Sequence, residues 1–136
     1  MSLFCANIAH DPGAQRLARR WVAALRGGRY HQVREHLRTD LGYCCLGVAC
    51  DLYRPGTWRL RSDGEWLFLD NTAVLPLGVA EAFQLRATDG RFGPHLESDS
   101  LLIANDRGES FAWIADLIER ELEAAIARCS LRRSRR

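Results

Sequence analysis

The stretch that most narrows what this chain can fold into is Tyr43-Cys44-Cys45-Leu46-Gly47-Val48-Ala49-Cys50-Asp51-Leu52-Tyr53. It is a run of small and apolar residues carrying three of the five cysteines, and it is far too short to span a bilayer. A run of this kind is stable in water only when folded structure covers it, so it is the expected centre of the core. Gly42 breaks the chain before it and Pro55-Gly56 breaks it after. The spacing predicts a short helix entered at the cysteine pair.

The elements expected around that centre follow from caps and periodicity. Asp11-Pro12 is a helix start, a carboxylate N-cap followed by proline at the first helical position. Leu17, Trp21, Ala24 and Leu25 continue it as an apolar stripe, arginines take the other face, and Gly27-Gly28 ends it. Residues 1–10 read as an irregular or strand-like arm held by Leu3, Phe4 and Ile8. Residues 29–41, with Val33 and Leu37 four apart, read as a short helix or turn that packs lightly. Two aromatic and aliphatic runs, 57–60 and 65–69, flank Arg61-Ser62-Asp63-Gly64, a hairpin signal with glycine at the positive-φ position and Trp66 and Phe68 on one face. Asn71-Thr72 is a candidate cap for a helix near 76–84, residues 86–99 a surface loop, and Leu101-Leu102-Ile103 a short buried run. The clearest element is the last. Ser110 caps a helix whose Phe111, Ile114, Ala115, Ile118, Leu122, Ile126 and Cys129 share one face, with Asp116, Glu119, Glu121 and Glu123 facing solvent.

These elements predict a small single α+β domain. An N-terminal helix and a long C-terminal helix pack on the cysteine helix, with a small antiparallel hairpin to one side. The globular part is expected over residues 1–131 and a basic, disordered tail over 132–136. A chain of 136 residues buries about two-thirds of its unfolded surface, enough for one core. Its 47% apolar and 26% charged residues exclude a disordered chain.

Charge and cysteine usage exclude several functions. Every basic side chain is arginine. Net charge is +2, and four arginines sit in the last five residues, so the rest of the chain carries −2. A nucleic-acid binder concentrates its basic excess on the folded face, which argues against nucleic acid as the partner. Five cysteines is an odd number, a vicinal Cys44–Cys45 disulfide is strained, and no signal-peptide pattern opens the chain. The expectation is a cytoplasmic protein with reduced thiols and no membrane segment. On a helix, Cys45 and Cys50 diverge by about 140° and Cys44 and Cys50 by about 240°, and no Cys-x-x-Cys occurs, so no metal or cofactor is expected.

Chemistry could reside in two places. Cys44 and Cys45 open a helix, where free N–H groups and the helix dipole favour a thiolate. With His31, His36 or His95 as base and Asn105 or Asp106 as orienting group, they form a cysteine-nucleophile reading, a hydrolase or transferase acting on an acyl or amide substrate. The alternative for these thiols is the core. Asn105-Asp106-Arg107-Gly108-Glu109-Ser110 is either a ligand-facing loop or a capping turn. Gly108 to Ala115 also resembles the opening of a helix-turn-helix, but the helical pattern continues unbroken where a turn and a recognition helix should follow.

Three motifs occur together elsewhere in this order. They are Trp21-Val22-Ala23-Ala24-Leu25-Arg26-x-Gly28-x-Tyr30-x-Gln32, Tyr43-Cys44-Cys45-Leu46-Gly47-Val48-x-Cys50-Asp51-Leu52, and Asn105-Asp106-x-Gly108-x-Ser110-Phe111-x-x-Ile114-Ala115-Asp116-x-Ile118-Glu119. The chain resembles a group of small proteins of actinobacterial phages, prophages and their hosts, for which the resemblance implies no activity. Where that group commonly has a glycine-rich segment, this chain has Val33-Arg34-Glu35-His36, so neither His31 nor His36 gains support as a base. The resemblance marks Gln32, Cys44, Cys45, Asn105 and Asp106 as one recurring set, which fits a shared pocket or a shared fold.

The expected function is noncatalytic binding of a host protein or small-molecule ligand, with Gln32, Asn105 and Asp106 at the contact. Catalysis by Cys44 or Cys45 is the first alternative, and salt-dependent nucleic-acid binding by the tail is the second.

Overall fold

Asp11 opens the first long helix as its sequence predicts. Its carboxylate accepts from the Ala14 N–H at 3.0 Å, and Pro12 takes the first helical position of α1 (Pro12–Arg26). The computed structural model describes residues 2–134, with side chains through Leu131. In chain order the elements are a 3-10 helix (Ala6–His10), α1, β1 (Arg38–Thr39), β2 (Gly42–Tyr43), α2 (Cys45–Tyr53), β3 (Arg59–Leu60), β4 (Trp66–Leu67), α3 (Leu77–Ala82), α4 (Leu101–Asp106) and α5 (Phe111–Ser134). The fold is α+β, helices around two small antiparallel hairpins. No helix among the described residues is long and apolar enough to cross a membrane.

The apolar run does become the centre. Every residue from Cys44 to Cys50 is buried, and α1, α3 and α4 pack around α2. Trp21 from α1 is fully buried, meets Phe83 edge-on at 5.3 Å, and donates its indole N–H to the Cys45 carbonyl at 2.9 Å. That bond satisfies the indole's polar end where its body contributes apolar area. α1 and α5 form the principal helix pair, clasped at the surface by Arg26 to Asp116 (2.6 Å) and Glu119 (3.1 Å). Leu3, Phe4 and Ile8 bury the N-terminal arm as expected. Glu121, expected to face solvent, instead accepts the Leu3 N–H at 2.9 Å and ties that arm to α5.

The 59–67 hairpin forms with Arg59 opposite Leu67 and Leu60 opposite Trp66, and Gly64 has φ +89° in its turn. Several expectations need correction. Residues 29–41 form no helix; they lie against the start of α2 as a bent segment that leads through β1 into the hairpin turn, with Leu37 fully buried rather than lightly packed. Asn71-Thr72 does not cap α3, which begins after Pro76; Leu69 and Asp70 instead take left-handed conformations in a tight turn closed by Phe68 and Asn71. Leu101 starts the helix α4, capped by Ser100, whose hydroxyl accepts from the Ile103 N–H at 3.1 Å. α5 does not fray at Ser130 but runs through Ser134, because arginine is a good helix former and no Gly or Pro stops it. Residues 132–134 therefore extend a helix rather than form a disordered tail, and Arg135 and Arg136 lie outside the described residues.

Candidate functional site

The six-residue helix α4 aims Asn105 inward at the start of α2. Asn105 is fully buried. Its Oδ1 accepts from the Gln32 side-chain amide at 2.9 Å and from the Cys45 backbone N–H at 3.1 Å, and its Nδ2 donates to the Val33 carbonyl at 2.8 Å. Gln32 also donates to the Glu109 carbonyl at 2.8 Å. One N–H that α2 cannot satisfy within its own first turn is thereby filled. Asp106 is half-buried and accepts the backbone N–H of Glu35 at 2.8 Å, where Glu35 sits at φ 69°. The Gln32, Asn105 and Asp106 set thus comes together as the sequence suggests, but it binds the chain's own backbone. Among the described residues no buried side-chain nitrogen or oxygen lacks a partner. Asn105 has no surface to offer a ligand, which corrects its expected role as a contact residue.

Cys44 and Cys45 are adjacent to this knot and are sealed. They are 1% and 0% exposed. Cys44 is the N-cap of α2, its Sγ accepting weakly from the Gly47 N–H at 3.4 Å, while Cys45 Sγ donates to the Leu101 carbonyl at 3.6 Å. Burial pushes the Cys44 thiol up to about 11 and holds Cys45 well above its ordinary value, despite the opposing pull of N–H groups at the helix start. Desolvation outweighs the helix dipole here. Among the described residues no hydrogen bond joins His31, His36 or His95 to either thiol: His36 pairs with Glu65 at 3.4 Å, and His31 and His95 are exposed. A thiol–imidazole contact does occur, Cys129 Sγ to His10 Nε2 at 3.3 Å, at the opposite ends of the chain from the motif.

In the folded protein, alkylating reagents are expected to reach Cys5 and Cys129 and to spare Cys44, Cys45 and Cys50, as read by mass spectrometry of the labelled peptides. The folded Cys44 pKa lies above its unfolded value of about 9, so this group's stabilisation is intact below pH 9 and is lost as pH rises towards 11. Rapid labelling of Cys44 or Cys45 at neutral pH, before unfolding, would restore the nucleophile.

An open groove lies around the β1–β2 hairpin. It has a volume of about 250 Å³ and is lined by Arg29, Tyr30, His31, Arg38, Tyr43 and Trp66, with the hairpin turn 39–42 at its rim. The Arg38 guanidinium lies 3.8 Å from the Trp66 ring centroid, 5.1 Å from Tyr43 and 5.5 Å from Trp58. These rings continue as edge-on pairs, Tyr30–Tyr43 at 5.0 Å, Tyr43–Trp58 at 5.8 Å and Trp58–Phe68 at 5.0 Å. Their polar ends are fixed. Tyr30 and Trp58 donate to Asp51 at 2.6 and 3.0 Å, and Trp66 donates to Asp40 at 2.9 Å. Burial, with Asp51 adding to it, pushes Tyr30 up to about 12, so it is a hydrogen-bond donor at neutral pH. Leu41, at the hairpin tip, is 81% exposed. Sequence reading missed this groove. Its signal was partial, two tyrosines bracketing an arginine-bearing segment, and only the fold brings Trp58 and Trp66 back to Arg38.

A family model described as "Domain of unknown function (DUF8296)" matches residues 14–122. The chain belongs to this family. The DUF8296 region holds both the Asn105 knot and the aromatic groove, whereas Cys5, His10 and Cys129 fall outside it. No curated protein and no solved structure matches the chain.

Proposed function

We propose that this DUF8296 protein is a noncatalytic binding protein of phage or prophage type, and that it engages a host protein or small ligand through the groove around Arg38. One observation carries the reading. The groove presents a guanidinium stacked on Trp66, and among the described residues no carboxylate lies within ion-pair distance of it. A charge held in place by aromatic faces and left without a counter-charge is poised for a partner's group. The sealed, protonated cysteines support binding over catalysis, and the Asn105 knot fixes Gln32 and Val33, which directly follow the groove residues Tyr30 and His31. The resemblance to phage and prophage proteins supports the cellular context.

A photocrosslinking amino acid placed at Leu41 is expected to capture a discrete partner in extracts of the producing cell. The same residue placed at Glu123, on the exposed face of α5, is expected to capture none. Equal capture at both positions, or none at Leu41, would remove the groove as the contact surface.

A further inference from the structure

We infer that the groove takes an acidic peptide segment of a partner protein, with a carboxylate received by Arg38 and a neighbouring apolar side chain received by Leu41 and Trp66. This rests on the binding reading above and names its ligand chemistry. The contact with the Trp66 ring, 3.8 Å from Cζ to centroid, uses none of the guanidinium N–H groups, which make no hydrogen bond among the described residues and leave their forked edge on offer. That edge matches a planar, two-oxygen acceptor. Because the rings already hold the side chain, binding costs little further rotamer entropy.

The groove's own carboxylate, Asp40, accepts from the Trp66 indole at 2.9 Å and forms no ion pair with Arg38. Arg29 and Arg38 against Asp40 leave the lining at +1 with histidine neutral, on a chain whose first 131 residues carry −2. Charge complementarity thus favours an anion at this place and disfavours one over much of the remaining surface. Leu41, 81% exposed at the rim, gives an apolar contact that inorganic phosphate could not use. An open groove of about 250 Å³ is below the usual size of small-molecule pockets and suits two or three side chains of an extended peptide.

The test uses the full chain, isotopically labelled, with three probes read by NMR at the Arg38 Nε–H and the Trp66 indole N–H. The probes are a short peptide alternating Glu and Leu, the same peptide with Gln for Glu, and inorganic phosphate. The Glu peptide is expected to shift both signals, with an affinity that falls as salt rises. Arg38→Ala is expected to weaken it about tenfold, and Arg38→Lys nearly as much, since lysine keeps the charge but loses the planar fork. Arg29→Ala, at an exposed position, serves as the milder second variant and is expected to weaken it about threefold. Equal binding of the Gln peptide overturns the inference, as does a response to phosphate without one to the Glu peptide. Should Leu41 crosslink a partner while the Glu peptide moves neither signal, the ligand class falls and the groove stands. Should the peptide bind while Leu41 captures nothing, the proposed function falls and the groove's chemistry stands.

Discussion

Gly47→Ala is expected to destabilise the protein by about 3 kcal/mol or more, measured by urea denaturation. Inside a helix the same change ordinarily stabilises by up to about 1 kcal/mol, because glycine loses more backbone freedom on folding. The sign reverses here because a Cβ on Gly47 would run into the Leu37 main-chain carbonyl. That carbonyl cannot retreat easily. It accepts the Cys44 N–H at 3.1 Å, the Leu37 N–H donates to Thr72 at 2.7 Å, and the Leu37 side chain is fully buried. Gly78→Ala in α3 is the control, since a Cβ there meets open space, and it is expected to be neutral or mildly stabilising. Matching effects at the two glycines would mean that residues 29–41 do not lie against α2 as described.

Asn105→Ala is expected to cost about 2–5 kcal/mol, again by denaturation. It strands the Cys45 N–H and the Val33 carbonyl, each losing its partner where water does not reach easily. Each such orphan costs about 1–3 kcal/mol, while Gln32, at an exposed position, recovers its loss from solvent. Asp106→Ala is expected to cost under about 1 kcal/mol, because it removes one hydrogen bond to an exposed N–H, that of Glu35. A small effect at Asn105, or one no larger than at Asp106, would return Asn105 to the list of ligand contacts.

The two long helices were legible because their information is local. Asp11-Pro12 and Ser110 cap within three residues of themselves, and the stripes of α1 and α5 repeat over enough turns to show a period. The 59–67 hairpin was legible for the same reason, through Asp63-Gly64. α4 was not, since six residues after Ser100 give too few turns for a stripe and Leu101-Leu102-Ile103 reads equally as strand. The wrap of residues 29–41 was hidden because what bends it is distant in sequence. Glu35 holds its left-handed conformation against Asp106, 71 residues away.

For the site, the residues that the sequence singled out lie together in the fold, where their bonds go to the chain's own backbone and side chains. Gln32, Cys44, Cys45, Asn105 and Asp106 do cluster. A cysteine at a helix start suggests a thiolate only if solvent can stabilise it, and accessibility is a property of the packed molecule. The same limit concealed the groove, whose Arg38 is joined by Trp58 and Trp66 across separate elements.

The sequence by itself determined that the run from Cys44 to Cys50 would be buried, that the N-terminal helix would pack on it, and that the fold would be α+β. Transfer of apolar surface from water and hydrogen bonding within a helical turn act on composition and short spacing, both of which a single chain displays. Only the tertiary structure decided that the cysteines stay protonated, that Asn105 serves the scaffold, and that Arg38 lies against Trp66 with no carboxylate partner among the described residues. Desolvation, polar satisfaction and exposure are set by neighbours from elsewhere in the chain, and those neighbours exist only once the chain has folded.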